Sequence, residues 1–193
     1  IMKEIASRAD FSVKFKSLPW SRIVSMLKNG SLDCVSTIFM NEERKQYVSY
    51  SMEPYYTLTT VFYVKKGKRK IIQSYADLRE LTVGVVAETE YFDPFNNDDQ
   101  INKYTVNREI QLLKMLNQGR VDAIVGTFPQ IEYDTVLNNF SGKFDRAKYS
   151  PGNDVNLYVG CSRLSKYASQ IDDISKAIIQ MKSDGTINEI VAN

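Results

Sequence analysis

Arg44 is the residue of this 193-residue chain whose type and setting most directly imply chemistry. It lies in the run Asp33–Tyr56, DCVSTIFMNEERKQYVSYSMEPYY, beyond the buried-strand pattern Cys34-Val35-Ser36-Thr37-Ile38. An alternating run, Tyr47-Val48-Ser49-Tyr50-Ser51, follows and stops before Pro54. Open α/β sheets bind ligands beyond the carboxyl ends of their strands. A guanidinium there suits a carboxylate, because its rigid fork makes two parallel charge-assisted hydrogen bonds. On spacing alone a solvated loop arginine is the commoner outcome. Trp20, the only tryptophan, follows Pro19 in a strand-to-helix loop. Its indole face offers about 0.5–2 kcal/mol to a cation, or the ring simply packs on its neighbours. Thr89 follows the apolar run Val83-Gly84-Val85-Val86, and a hydroxyl with free N–H groups at a helix start binds anions. Glu88 and Glu90 flank it. They either point outward and favour the helix dipole or suit a cationic group.

The elements that must position these residues are legible as alternating helices and strands. Helices are expected at Met2–Ala9, Ser21–Lys28, Ala76–Arg79, Asn107–Gln118, Gln130–Leu137 and Ala168–Lys182. Strands are expected at Ser12–Phe15, Asp33–Ile38, Thr59–Val64, Thr82–Val86, Val121–Val125 and Asn156–Cys161. Such alternation implies mainly parallel sheets flanked by helices. Met26–Val35 and Met115–Ile124 echo one another as helix end, glycine stop, polar residue and strand, and Met181–Gly185 repeats the Met-to-Gly spacing. A glycine just past a helix supplies the left-handed conformation that closes it. Two such copies argue for two similar lobes. Asp33 and Asp122 occupy equivalent places in the echo and are expected to cap turns rather than act as an acid pair.

Composition narrows the function. The chain is 43% hydrophobic and 25% charged, with a net charge of +2, ordinary for a globular protein and too near neutral to imply nucleic acid or an anionic membrane. The basic run Lys65–Lys70 reads as a solvated loop. No apolar stretch reaches the ~18 residues that span a bilayer. Histidine is absent, which removes Ser-His and Cys-His nucleophilic catalysis and nearly all zinc-enzyme sites. Cys34 and Cys161 sit in apolar strand-like runs, where buried reduced thiols are expected. A disulfide requires that the strands be neighbours with Cβ atoms facing.

Asp33, Asn41, Glu43, Arg44, Val48, Tyr50, Ser51, Pro54 and Tyr55 also carry a resemblance. They are similar to the segment D-hydrophobic-small…T-x-E-R-x-x-x-hydrophobic-x-F-S-x-P-Y of type II periplasmic solute-binding proteins, the amino-acid (family 3) group of ABC-transporter receptors. The resemblance extends more weakly over almost the whole chain. It gives Arg44 the ligand α-carboxylate and implies a two-lobed α/β fold with a two-strand hinge. Lobe one would be residues 1–56 and 158–193, lobe two 60–154, with crossings near 56–60 and 154–158. Val83–Tyr91 resembles the family's V-G-V-x-x-G-T, with Thr89 in the threonine's place and Glu88 in the glycine's. Trp20 matches a position that often carries an aromatic over the ligand. Thr37 is a further candidate contact, and Tyr55, beside the hinge, either lines the cleft or serves packing. Phe39 stands where the family has a small or hydroxyl residue, and Thr127 where many members carry the aspartate that pairs with the ligand ammonium. Glu88 or Glu90 is the candidate replacement for that acid. The family's strand and Gly-rich loop before the first helix have no counterpart, so a preceding segment is expected to be missing.

The resemblance thus implies extracytoplasmic, periplasmic binding of a small carboxylate-bearing solute, with closure on binding and delivery to a membrane ABC permease. It implies a monomer that uses no cofactor, metal or nucleic acid and performs no catalysis. Three other uses stay open: the sensor domain of a histidine kinase or cyclic-dinucleotide enzyme, a dehydratase-like enzyme with Glu88 or Glu90 as acid/base, and a lobe pair that binds nothing.

Overall fold

The computed structural model describes residues 1–192. In chain order the helices are α1 (Met2–Arg8), α2 (Trp20–Lys28), α3 (Glu42–Lys45), α4 (Glu109–Gln118), α5 (Gln130–Leu137), α6 (Ile171–Ser183) and α7 (Thr186–Ala192). The strands are β1 (Cys34–Ile38), β2 (Val48–Tyr50), β3 (Tyr56–Lys65), β4 (Thr82–Val86), β5 (Asn102–Val106), β6 (Ala123–Phe128), β7 (Phe144–Arg146) and β8 (Asp154–Ser162). The chain forms two compact units, residues 1–18, 22–57 and 156 onward in the first, 19–21 and 58–155 in the second. It passes from one to the other inside β3 and returns inside β8. Among the described residues no helix is long and apolar enough to cross a membrane.

In the first unit β8 is the organising strand. β1 and β2 both pair with it antiparallel, Cys34 opposite Cys161 and Tyr50 opposite Gly160. Gly160 is required by that crowding, since a Cβ there would come within 2.7 Å of Val48 and 2.8 Å of Ile38. Apolar residues of α6 recur at Ile174, Ala177, Ile178 and Met181, the one-face helical spacing, and all four are buried. Each such isoleucine contributes about 1.5–3 kcal/mol by leaving water.

In the second unit the order is β3-β6-β4-β5. β4 runs parallel to β5 and β6, while β3 pairs antiparallel with β6 and β7. Successive β3 residues leave opposite faces. Phe62 and Val64 join Val83, Phe92 and Phe95 on one side; Val61 and Tyr63 join Leu112, Leu116 and Ile124 on the other. Helix α4 lies so close to β4 that a Cβ on Gly84 would meet Leu112 at 2.8 Å. Gly119 ends α4 at φ 74, as the Met-to-Gly spacing predicts, and Gly30 and Gly185 take φ 75 and 82.

Four expectations are corrected. The sheets are not mainly parallel: β4 pairs parallel with β5 and β6, while β3 runs antiparallel to β6 and β7 and β8 antiparallel to β1 and β2. Residues 12–15 alternate like a strand yet form none; Phe15 is 60% exposed, and a strand without a paired neighbour has no stability of its own. Cys34 and Cys161 are not reduced thiols but a disulfide, with Cα atoms 3.9 Å apart. The β1–β8 register sets them directly opposite. Asp122 accepts the Thr82 N–H (2.9 Å), and Asp33 accepts the Ser165 hydroxyl (2.7 Å), so each ties down a segment distant in sequence rather than capping the turn before its own strand.

Candidate functional site

In the first unit the chain turns sharply after β1. Asn41, in extended conformation, caps α3 by accepting the Arg44 N–H at 2.7 Å, which satisfies a donor the helix start would leave unpaired. Glu42 and Glu43 in the first turn suit the positive helix end. The cap carries Arg44 into the interior, where it is only 4% exposed. Its Nη1 donates to the Phe39 carbonyl (3.4 Å), which also accepts the Tyr50 hydroxyl (3.2 Å). Tyr50 meets Tyr158 of β8 edge to face at 6.0 Å. A guanidinium withdrawn from water attracts an anion more strongly than an exposed one, because the local dielectric is lower. Beside it Lys28 bridges Glu43 at 2.9 Å and lies 5.1 Å over the Tyr47 ring. The Lys28 hydrogen bond holds the Glu43 carboxyl below its usual range, and burial raises the Tyr47 phenol against the pull of Lys28 and Arg44.

In the second unit β4 ends in a turn that gathers four of the sequence-predicted residues. Glu88 has φ 59, the left-handed region that glycine adopts freely, consistent with glycine at the matching family position. Its carbonyl accepts the Trp20 indole N–H at 2.7 Å, and Trp20 packs partly buried against the Leu112 side of the sheet. Thr89 N–H donates to the Val86 carbonyl (3.3 Å). The Tyr91 hydroxyl accepts the Val86 N–H (2.9 Å), and burial drives its phenol well up. Thr89, Glu90, Tyr91, Asp93 and Lys103 border a cavity of about 350 Å³. Lys103 already donates to the Asn96 and Asp98 carbonyls, each at 3.1 Å. Glu109, at the start of α4, is exposed as a residue, yet atoms crowd its carboxyl, and that desolvation with the charge of Asp134 raises it. Asp134 is raised by burial against a hydrogen bond from Gln130.

The predicted residues therefore fall into two groups. Arg44, Phe39 and Thr37 cluster at the end of β1, Phe39 half-buried and Thr37 exposed. Tyr55 stands apart, 8% exposed, with its N–H on Leu157. Trp20, Glu88, Thr89 and Glu90 share the turn after β4, while Thr127 sits on β6 opposite Thr60. Sequence reasoning missed Tyr50 and Tyr91 as the hydroxyls that brace the two loops. Their signal was the alternation around Val48 and the aromatic after Glu90, which does not reveal a bonding partner. Among the described residues no group of three histidine, cysteine or acidic side chains is arranged to hold a metal.

The family model described as bacterial extracellular solute-binding proteins, family 3, matches residues 1–193. The chain is 31% identical over 134 residues to a Neisseria gonorrhoeae protein described as a "Probable histidine-binding protein", covering 65% of this chain and 47% of that one. It is 24% identical over 190 residues to the L-cystine-binding protein TcyA of Bacillus subtilis, covering 98% of this chain and 68% of that one. The chain thus spans about half the length of the first relative and two thirds of the second. Among solved structures it resembles an ancestral arginine-binding protein bound to arginine, with a TM-score of 0.81 at 25% identity over 98% of this chain and 83% of that one.

Proposed function

Because this chain belongs to the bacterial extracellular solute-binding proteins of family 3, we propose that it binds a small carboxylate-bearing solute, an amino acid or close relative, and hands it to a membrane permease. The observation that carries the reading is Arg44, buried to 4% exposure on a capped turn just past β1. In this reading the first unit holds the carboxylate through Arg44, beside Phe39 and Thr37 at the end of β1. Within the second unit, the turn after β4 offers the Thr89 hydroxyl and the Trp20 ring, with Glu88 or Glu90 suited to a cationic group in place of an acid at Thr127. The crossings in β3 and β8 serve as the hinge; solute shifts that equilibrium by no more than its differential affinity for the two forms.

The protein acts in this reading by binding, as a monomer in the periplasm, without turnover. The Cys34–Cys161 disulfide supports an oxidising compartment. Family members in the comparison are described as binding histidine or cystine, which makes amino acids the first panel to screen. A thermal-shift screen of amino acids, keto acids, polyamines and dicarboxylates tests the reading, with wild-type and Arg44→Ala protein in parallel. A carboxylate that stabilises the wild type and not the variant is the expected result. A polyamine hit with no carboxylate hit overturns it.

A further inference from the structure

We propose that Asn153 is the positioning residue for the turn that carries Thr89 and Glu90. Its Nδ2 donates to two acceptors of the second unit, Thr60 Oγ1 at 3.2 Å and the Tyr91 carbonyl at 3.3 Å. A carbonyl only accepts, so the nitrogen end of the amide must face Tyr91. That orientation leaves Asn153 Oδ1 buried without a hydrogen-bond partner among the described residues. The reversed amide would set oxygen against oxygen at Tyr91. Buried polar atoms without partners are uncommon, and here the two donations from one nitrogen account for the choice.

The three residues join parts of the unit that are far apart in sequence. Thr60 lies on β3, directly opposite Thr127 of β6, so both side chains leave the same face of that ladder, and the Asn153 amide reaches that face through Thr60. Thr60 and Asn153 each lie two residues inside the unit's ends at Leu58 and Val155. Tyr91 closes the turn, accepting the Val86 N–H on its hydroxyl and donating its own N–H to Asn96 Oδ1 at 2.8 Å. Asn153, one residue before β8, therefore links β3 to the main chain of Tyr91, and through it to Glu88, Thr89 and Glu90. A shift of β3 at Thr60 is carried into that turn.

The inference rests on the solute-binding reading only for calling Thr89 and Glu90 solute contacts. Its test needs no solute, so the two fail separately. In Asn153→Ala protein, amide hydrogen exchange and Trp20 emission are measured on the full chain. Loss of two ordinary hydrogen bonds is expected to speed exchange at Thr89, Glu90 and Tyr91 about tenfold or more. Trp20 emission should shift, because its acceptor is the Glu88 carbonyl in that turn, while Leu112, Leu113 and Leu116 keep wild-type rates. Unchanged exchange and emission overturn the proposal, as does a uniform acceleration that includes α4. Thr60→Val, which removes one acceptor and keeps the shape, should reproduce the pattern at smaller amplitude; a pattern centred elsewhere overturns the route through β3.

Discussion

Reduction of the Cys34–Cys161 disulfide should cost the first unit much of its stability, and the size of the loss reports how the two units fold. The bridge closes a loop with a sequence separation of 127. In the chain-entropy picture such a loop restricts the unfolded chain by about 4.9 kcal/mol. Leu58–Val155, 98 residues, belong to the second unit, and 127 less 98 leaves 29. If the second unit stays folded while the first unfolds, only those 29 residues count as flexible, and the same expression gives about 3.6 kcal/mol. Urea unfolding followed by far-ultraviolet circular dichroism, with and without a phosphine reductant, measures the difference. At a slope of about 2 kcal/mol per molar, the midpoint should fall by roughly 2 M. A Cys34→Ala/Cys161→Ala variant should fall further, since Cys161 is fully buried and truncation leaves a void. Oxidised and reduced protein with coincident midpoints would refute the reasoning.

Other perturbations test separate parts of the account. Arg44→Lys keeps the charge but loses the fork, so carboxylate affinity measured by calorimetry should fall about 10- to 100-fold, the worth of a charge-assisted hydrogen bond; equal affinity would remove Arg44 from the site. Asp184 is held at about 2 by the Thr186 hydroxyl and then by Arg8, against an ordinary 3.8. Its folded value is depressed, so its contribution is present above pH 3.8 and lost as pH falls through about 2. The urea midpoints of wild type and Asp184→Asn should therefore differ at pH 6 and converge on acidification. Glu88→Gly relieves a left-handed backbone cost of roughly 1 kcal/mol but adds about 0.5–1 kcal/mol of chain entropy. Its stability should stay within about 0.5 kcal/mol of wild type by those terms, with Trp20 emission unchanged because the indole bonds the backbone.

What the sequence made legible follows from where the information lies. β4 and α5 have the bounds expected of them, since an unbroken apolar run and a helix opened by proline are local signals. The strand β5 carries no such signal: four of its five residues keep surface, and Tyr104 is 50% exposed, so its pattern lacks the buried face that marks a strand. The short helix α3 carries no periodic signal, because it depends on the Asn41 cap. Cysteine pairing depends on the register of β1 on β8, a property of two segments that no single window contains. Arg44 was legible as a candidate because it followed a strand. Its depth of burial was not, because that comes from the packing of Tyr50 and β8 around the loop. The stretch at residues 12–15 shows the opposite failure, a local alternation with nothing beside it to pair.

The most direct test of solute binding through Arg44 compares each amino acid with its decarboxylated amine, histidine with histamine and arginine with agmatine, by thermal shift on the oxidised protein. At about 100 times its dissociation constant a specific solute adds about 2.7 kcal/mol of stability. The account predicts that one or a few acids give this shift while the matching amines give none. An amine that stabilises the protein as well as its parent acid would contradict it.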